Sequence, residues 1–118
     1  MMMDDETLQM YVEESAEHLG DIENDLLAIE QAGAQIDEEL VNKVFRAAHS
    51  IKGGAGFLGL TKIKDLGHKI EGVLDMIRNR ELTPEPDVVN IVLLAFDKLR
   101  DLIGNVAPEL DRRLLGLA

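Results

Sequence analysis

Apolar side chains recur every three or four residues along most of this 118-residue chain, and no segment alternates with the period of two that a strand requires. A chain patterned this way buries its apolar surface as helices packed against helices. Leu8, Val12, Ser15, Leu19, Ile22, Leu26 and Ile29 form one stripe and predict a first helix over about 4–31, with Asp4 as its N-cap and Asp5 and Glu6 in its first turn. Asp37 then caps a second helix over 37–58, with Val41, Val44, Ala48, Ile51, Ala55 and Leu58 inward and Gly59 at its end. Thr61 caps a third over 61–80, with Ile63, Leu66, Ile70, Val73 and Ile77 inward and Arg78 and Arg80 beside its C-terminal dipole. The run from Thr83 to Asp87, with Pro84 and Pro86, starts a fourth over 85–105 that buries Val89, Val92, Phe96, Leu99 and Ile103. Pro108 interrupts the chain, and a short fifth helix is expected over 108–116. Short loops place neighbouring helices antiparallel. The expected architecture is a single all-α domain over 1–118, an antiparallel up-down-up-down four-helix bundle with a short fifth C-terminal helix.

Composition removes several classes of function. The net charge of −11 argues against a nucleic-acid partner, since phosphate backbones are bound by basic faces. Without cysteine there is no disulfide framework, thiolate zinc site or cysteine nucleophile. The longest apolar stretch, residues 88–96, contains Asn90 and is far short of the roughly 20 residues of a membrane helix. The acidic start from Met1 to Glu6 lacks the cationic flank and apolar run of a signal peptide. A cytoplasmic, monomeric domain without membrane insertion is expected.

The charge is unevenly spread. Residues 1–42 hold 13 carboxylates and no Lys or Arg, while the rest of the chain holds 10 acids and all 12 bases. An acidic solvated face accounts for the first part. It also leaves the middle of the chain, with Arg46, Lys52, Lys62, Lys64 and Lys69, as the region where an anion is welcome.

The chemistry-bearing residues sit in that middle. Asn42, Phe45, His49, Lys52 and Gly56 form a stripe one residue along from the inward set of the second helix, which places His49 at the edge of the buried face. Lys52 follows at i+3 and Gly53 at i+4. Helical side chains lean toward the N-terminus, so a side chain at position 53 would cover the ground over His49, and glycine leaves it open. Gly53, Gly54 and Gly56 each weaken a helix by about 1 kcal/mol relative to alanine, which suggests that bare backbone is wanted for close approach. On the third helix, His68 and Glu71 lie three apart. The turn near Gly59 brings them to the height of His49, so His49, Lys52, His68 and Glu71 are expected to form one surface cluster.

If Glu71 accepts the proton on Nδ1 of His49, Nε2 carries an exposed lone pair. Such a nitrogen is a nucleophile that can take a phosphoryl group in line, with Lys52 offsetting the added charge and Gly53 and Gly56 giving steric access. No residues are arranged to bind ATP or Mg²⁺, so no cofactor and no metal is expected in the domain itself. His18, among Glu14, Glu17 and Asp21, reads as an ordinary surface histidine. Residues 54–59 spell G-x-G-x-x-G, but a dinucleotide site needs a strand before that run, and none is present. A di-metal bundle needs two Glu-x-x-His pairs plus further inward glutamates, and the chain has one pair in reversed order. A non-catalytic scaffolding bundle is the remaining alternative, followed by a His/Glu metal-binding bundle.

The run Ala48-His49-Ser50-Ile51-Lys52-Gly53-Gly54-Ala55-Gly56-Phe57-Leu58-Gly59 resembles the phosphorylation motif of histidine phosphotransfer (HPt) domains. With His68-x-x-Glu71 on the next helix, it is similar to the N-terminal domain of the chemotaxis histidine kinase CheA family. The likeness covers nearly the whole chain, including the five-helix layout and the place at a protein's natural start. It implies that His49 is phosphorylated by the catalytic domain of a CheA-type kinase, using ATP and Mg²⁺ bound elsewhere. It also implies transfer to an aspartate on receiver domains of CheY-like and CheB-like response regulators. Glu71 would hydrogen-bond His49, with Lys52 and His68 completing the network. The fragment alone would be a phosphocarrier rather than an enzyme.

Overall fold

A computed structural model describes residues 5–106 of the chain. These residues form five α-helices and no strand: α1 (Asp5–Leu19), α2 (Ile22–Ala32), α3 (Glu38–Leu58), α4 (Thr61–Arg78) and α5 (Pro86–Gly104). Both α1 and α2 pack on α3 and α5, so the two short helices together supply one rod of an antiparallel four-helix bundle. The expected Asp4 cap and the short helix over 108–116 lie outside the described residues.

The first rod corrects an expectation. The helix predicted over 4–31 is broken at Gly20-Asp21. Glycine is a poor helix former, and the Gly20 N–H turns back to Glu17 O at 3.2 Å, three residues away rather than four. The next helix opens with Asp25 N–H donating to Asp21 O at 2.9 Å. A break frees carbonyl groups that need partners, and Leu19 O accepts from Arg100 Nη2 of α5 at 3.1 Å. Lys43 of α3 ties down the other side of the break through Asp25 at 3.1 Å. The apolar stripe runs through undisturbed because Leu19 and Ile22 are three apart, an ordinary helical step. Its buried members are Leu8, Tyr11, Ser15, Leu19, Ile22, Leu26 and Ile29; Tyr11 takes the place expected for Val12, which is only half-buried.

The α3–α4 hairpin positions the site. Asp37 Oδ1 accepts from Leu40 N–H at 3.1 Å and starts α3. Gly59 ends it in the left-handed region, φ 75°, where a side chain would be strained, and the Leu60 N–H closes onto Ala55 O at 2.8 Å. This turn is so tight that Thr61, expected as a cap, is already helical, and Leu60 occupies the cap position with no side-chain bond. At its other end α4 stops at Arg78 rather than Arg80, which takes φ 61° while the Glu81 N–H bonds Met76 O at 2.8 Å. The inward stripe of α4 is Ile63, Gly67, Ile70, Leu74 and Ile77, with the expected Leu66 and Val73 half-buried beside it. The helix is rotated so that Gly67 and Glu71 face α3.

Val44, Ala48, Ile51 and Ala55 of α3 share one core cluster with Leu74, Phe96 and Leu99, all essentially inaccessible. Full burial of each large apolar side chain contributes roughly 1.5–3 kcal/mol. Among the described residues every buried side-chain polar atom has a hydrogen-bond partner. No helix among them is long and apolar enough to cross a membrane.

Candidate functional site

α3 and α4 are the most intimately packed pair in the bundle, and one small residue permits it. Gly67 is buried in the seam, and a β-carbon there would lie 3.0 Å from the Cβ of Lys52. Without a side chain at 67 the helices approach closely enough for Glu71, one turn further along α4, to reach two residues of α3. Glu71 Oε1 lies 2.8 Å from His49 Nδ1, and Glu71 Oε2 accepts from Lys52 Nζ at 2.7 Å. The Glu71 side chain is 10% exposed and that of His49 64%. A carboxylate only accepts, so the Nδ1 of His49 donates, and in the neutral form of the ring the lone pair lies on Nε2.

Two further residues hold the imidazole. Phe45, one turn before it on α3, stacks with ring centroids 6.3 Å apart and planes within 9°. The Arg78 guanidinium of α4 lies over the Phe45 ring, 4.4 Å from its centroid. Arg78 is itself held by Asn42 Oδ1 at 3.1 Å and by the carboxylate of Asp75. The expected role of Arg78 beside the helix dipole thus extends to a contact across the seam.

His68 does not join this network. It is exposed, with no hydrogen bond or ion pair among the described residues. Three residues along a helix leave it about 60° from Glu71; Gly67 and Glu71 line the seam, while position 68 turns outward. Both oxygens of Glu71 are already used by His49 and Lys52.

The glycines of α3 serve different ends. A β-carbon at Gly53 would have nothing within 4 Å of it, so the ground next to His49 is open. At Gly54 a β-carbon would meet the Tyr11 ring at 2.6 Å, so this glycine admits α1 rather than a partner molecule. Tyr11 completes that contact by donating its hydroxyl proton to Ile51 O at 2.8 Å. Burial pushes the Tyr11 phenol up to about 12, against a smaller opposing effect of the Ser15 hydroxyl. Gly56 faces the aliphatic stem of Lys64, 3.6 Å from where its β-carbon would be. Of the other middle-chain cations, Lys62 and Lys69 are exposed on α4, and Arg46 borders a groove of about 400 Å³ with His18, Glu17 and Ser50. Among the described residues no three His, Cys, Asp or Glu side chains gather to hold a metal ion.

Sequence reasoning missed Gly67 as the residue that sets the seam, and it gave Phe45 no role. Both carried a signal: a glycine four residues before Glu71, and an aromatic four residues before His49.

A family model for the Hpt domain matches residues 6–108. The chemotaxis protein CheA of Rhizobium meliloti is 40% identical over 97 residues, which is 82% of this chain and 12% of that protein. The CheA of Salmonella typhimurium is 38% identical over 93 residues, 79% of this chain and 14% of that protein. The chain therefore spans only a small part of the length of these curated relatives. The CheA phosphotransferase domain from Thermotoga maritima superposes with a TM-score of 0.78 at 32% identity, covering 86% of this chain and 94% of that one. The phosphorylated P1 domain of CheA3 in complex with CheY6 from R. sphaeroides gives 0.78 at 31% identity, covering 90% and 81%. A match that takes in all five helices and the seam between α3 and α4 leads to one conclusion: this chain belongs to the Hpt domain family.

Proposed function

We propose that this chain is the phosphocarrier domain of a CheA-type sensor kinase, with His49 as the phosphoacceptor. The observation that carries the reading is the His49 Nδ1–Glu71 Oε1 contact of 2.8 Å on a ring that is otherwise 64% exposed. It leaves the opposite nitrogen, Nε2, free to react.

In the first half-reaction the Nε2 lone pair attacks the γ-phosphorus of ATP held by a kinase catalytic domain. The N–P bond forms as the bond to the ADP oxygen breaks. The ring gains positive charge while keeping its Nδ1 proton, and Glu71 stabilises that charge. Lys52, already beside Glu71, offsets the charge of the new phosphoryl group. In the second half-reaction a receiver-domain aspartate oxygen attacks phosphorus, the N–P bond breaks, and its electron pair returns to Nε2. CheY-like and CheB-like regulators suit this step; one similar solved domain is phosphorylated and in complex with a CheY protein. ATP and Mg²⁺ belong to the kinase domain, and the fragment alone is a substrate rather than an enzyme.

The test is incubation of the chain with labelled ATP alone, then with a CheA-type kinase core added. Label should appear only in the second case, and it should be acid-labile and alkali-stable, as a nitrogen–phosphorus bond requires. His49→Gln should keep the fold and take no label. Label retained in that variant, or none in the wild type, overturns the assignment and leaves a scaffolding bundle.

A further inference from the structure

A single hydrogen bond fixes a point on an imidazole but not its plane. Glu71 anchors Nδ1 of His49, yet the ring can still swing about that anchor and carry Nε2 through an arc. In-line phosphoryl transfer needs one direction of approach, and small misplacements slow such steps steeply. The backbone attachment and Glu71 narrow that arc, and a contact at the ring face narrows it further.

We infer that Phe45 is a positioning residue for the reaction of His49, and that Arg78 acts through it. The Phe45 ring is nearly parallel to His49, within 9° at 6.3 Å, and so limits rotation of the imidazole out of that plane. Phe45 is half-buried, packed against the core, and the guanidinium over its ring comes from the other helix of the seam. Arg78 is fixed in turn by Asn42 of α3 and Asp75 of α4. The phosphoacceptor is thus oriented by two independent ties to α4: one through Glu71, at Nδ1, and one through Arg78 and Phe45, at the ring face. This inference rests on the assignment of His49 as phosphoacceptor.

Phe45→Leu keeps the apolar character and removes the flat surface, whereas Phe45→Tyr keeps the surface. The experiment measures phosphorylation by a CheA-type kinase core, with kcat and KM separated and thermal unfolding recorded for each variant. Phe45→Leu should unfold near the wild-type temperature and lower kcat about ten-fold with little change in KM. Phe45→Tyr should restore kcat to within about two-fold. Arg78→Met should lower kcat less than Phe45→Leu does, and combining the two should be no worse than Phe45→Leu alone. Side-chain ¹⁵N spectra should show the same His49 tautomer in the wild type and Phe45→Leu, because Glu71 is untouched, with the signal broadened by ring motion in Phe45→Leu. Equal kcat for Phe45→Leu and wild type, equal loss for the Leu and Tyr variants, or additive loss on combining with Arg78→Met overturns the inference. The wild-type protein is the control that separates the two ideas: no label on it defeats the phosphoacceptor assignment itself.

Discussion

The Cβ of Lys52 sits so close to Gly67 that a β-carbon at 67 would lie 3.0 Å from it, room for a methyl group only if the seam gives by a few tenths of an ångström and none for a larger side chain. The obstructing atom belongs to the root of the lysine, not its flexible end, so it can yield only if α3 and α4 separate. Separation would pull Glu71 away from both His49 and Lys52. Gly67→Ala gains about 1 kcal/mol of helix propensity and loses a comparable amount to crowding, so it should stay within about 1 kcal/mol of wild type. Gly67→Leu should lose about 2 kcal/mol or more and slow labelling of His49. Urea denaturation and a labelling time course check both, and a fully stable Leu variant would show that the seam is looser than described.

Glu71→Ala removes the acceptor of two bonds, 2.8 Å to His49 and 2.7 Å to Lys52, and leaves a part-buried ammonium without its carboxylate. A loss of about 1–3 kcal/mol in stability is expected. Phosphorylation should slow because the tautomer is no longer fixed, while binding to the kinase core stays the same. Lys52→Ala leaves the His49–Glu71 bond in place and should slow phosphorylation or shorten the lifetime of the phosphorylated form. Quench-flow labelling and binding titrations separate these effects.

Two adjacent glycines should respond in opposite ways. Gly53→Ala meets open space and should stabilise the domain by about 0.5–1 kcal/mol, the helix-propensity gain alone. The bulkier Gly53→Leu should cover the approach to His49 and slow phosphotransfer without unfolding the chain. Gly54→Ala drives a methyl group into the Tyr11 ring, 2.6 Å away, and should cost about 1–3 kcal/mol. Comparing unfolding midpoints of the three variants checks the assignment, and a stabilised Gly54→Ala would contradict the packing of α1 on α3.

Tyr11 makes stability depend on alkaline pH. Its phenol ionises at its ordinary value of 10.0 in the unfolded chain and at about 12 in the fold, where burial disfavours the charged form. Between these values the unfolded chain sheds its proton and the folded one keeps it. The contribution is complete below pH 10 and is lost as pH rises toward 12. Tyr11→Phe should give up the bond to Ile51 O, about 1 kcal/mol at neutral pH, and flatten this part of the pH profile. Denaturation on both proteins, at a pH below the ordinary phenol value and at one between the two values, measures the difference.

Period and punctuation alone determined the helical bundle, the ends of α3 and the placement of His49, Lys52 and Glu71 near one another. Stripes spaced by three and four residues demand packed helices, and Asp37 and Gly59 mark helix ends through local chemistry. The tertiary structure decided what depends on how far each helix is rotated and how closely two helices approach. The Leu19–Ile22 step is the same in a continuous helix and in one broken at Gly20, so the break was invisible, and Arg100 from a distant part of the chain helps to hold it. The rotation of α4 followed from the absence of a side chain at Gly67, which turned Glu71 into the seam and His68 out of it. For the same reason Gly53 and Gly54 look alike in the sequence: only the arrival of Tyr11 from another helix distinguishes an open surface from a filled one.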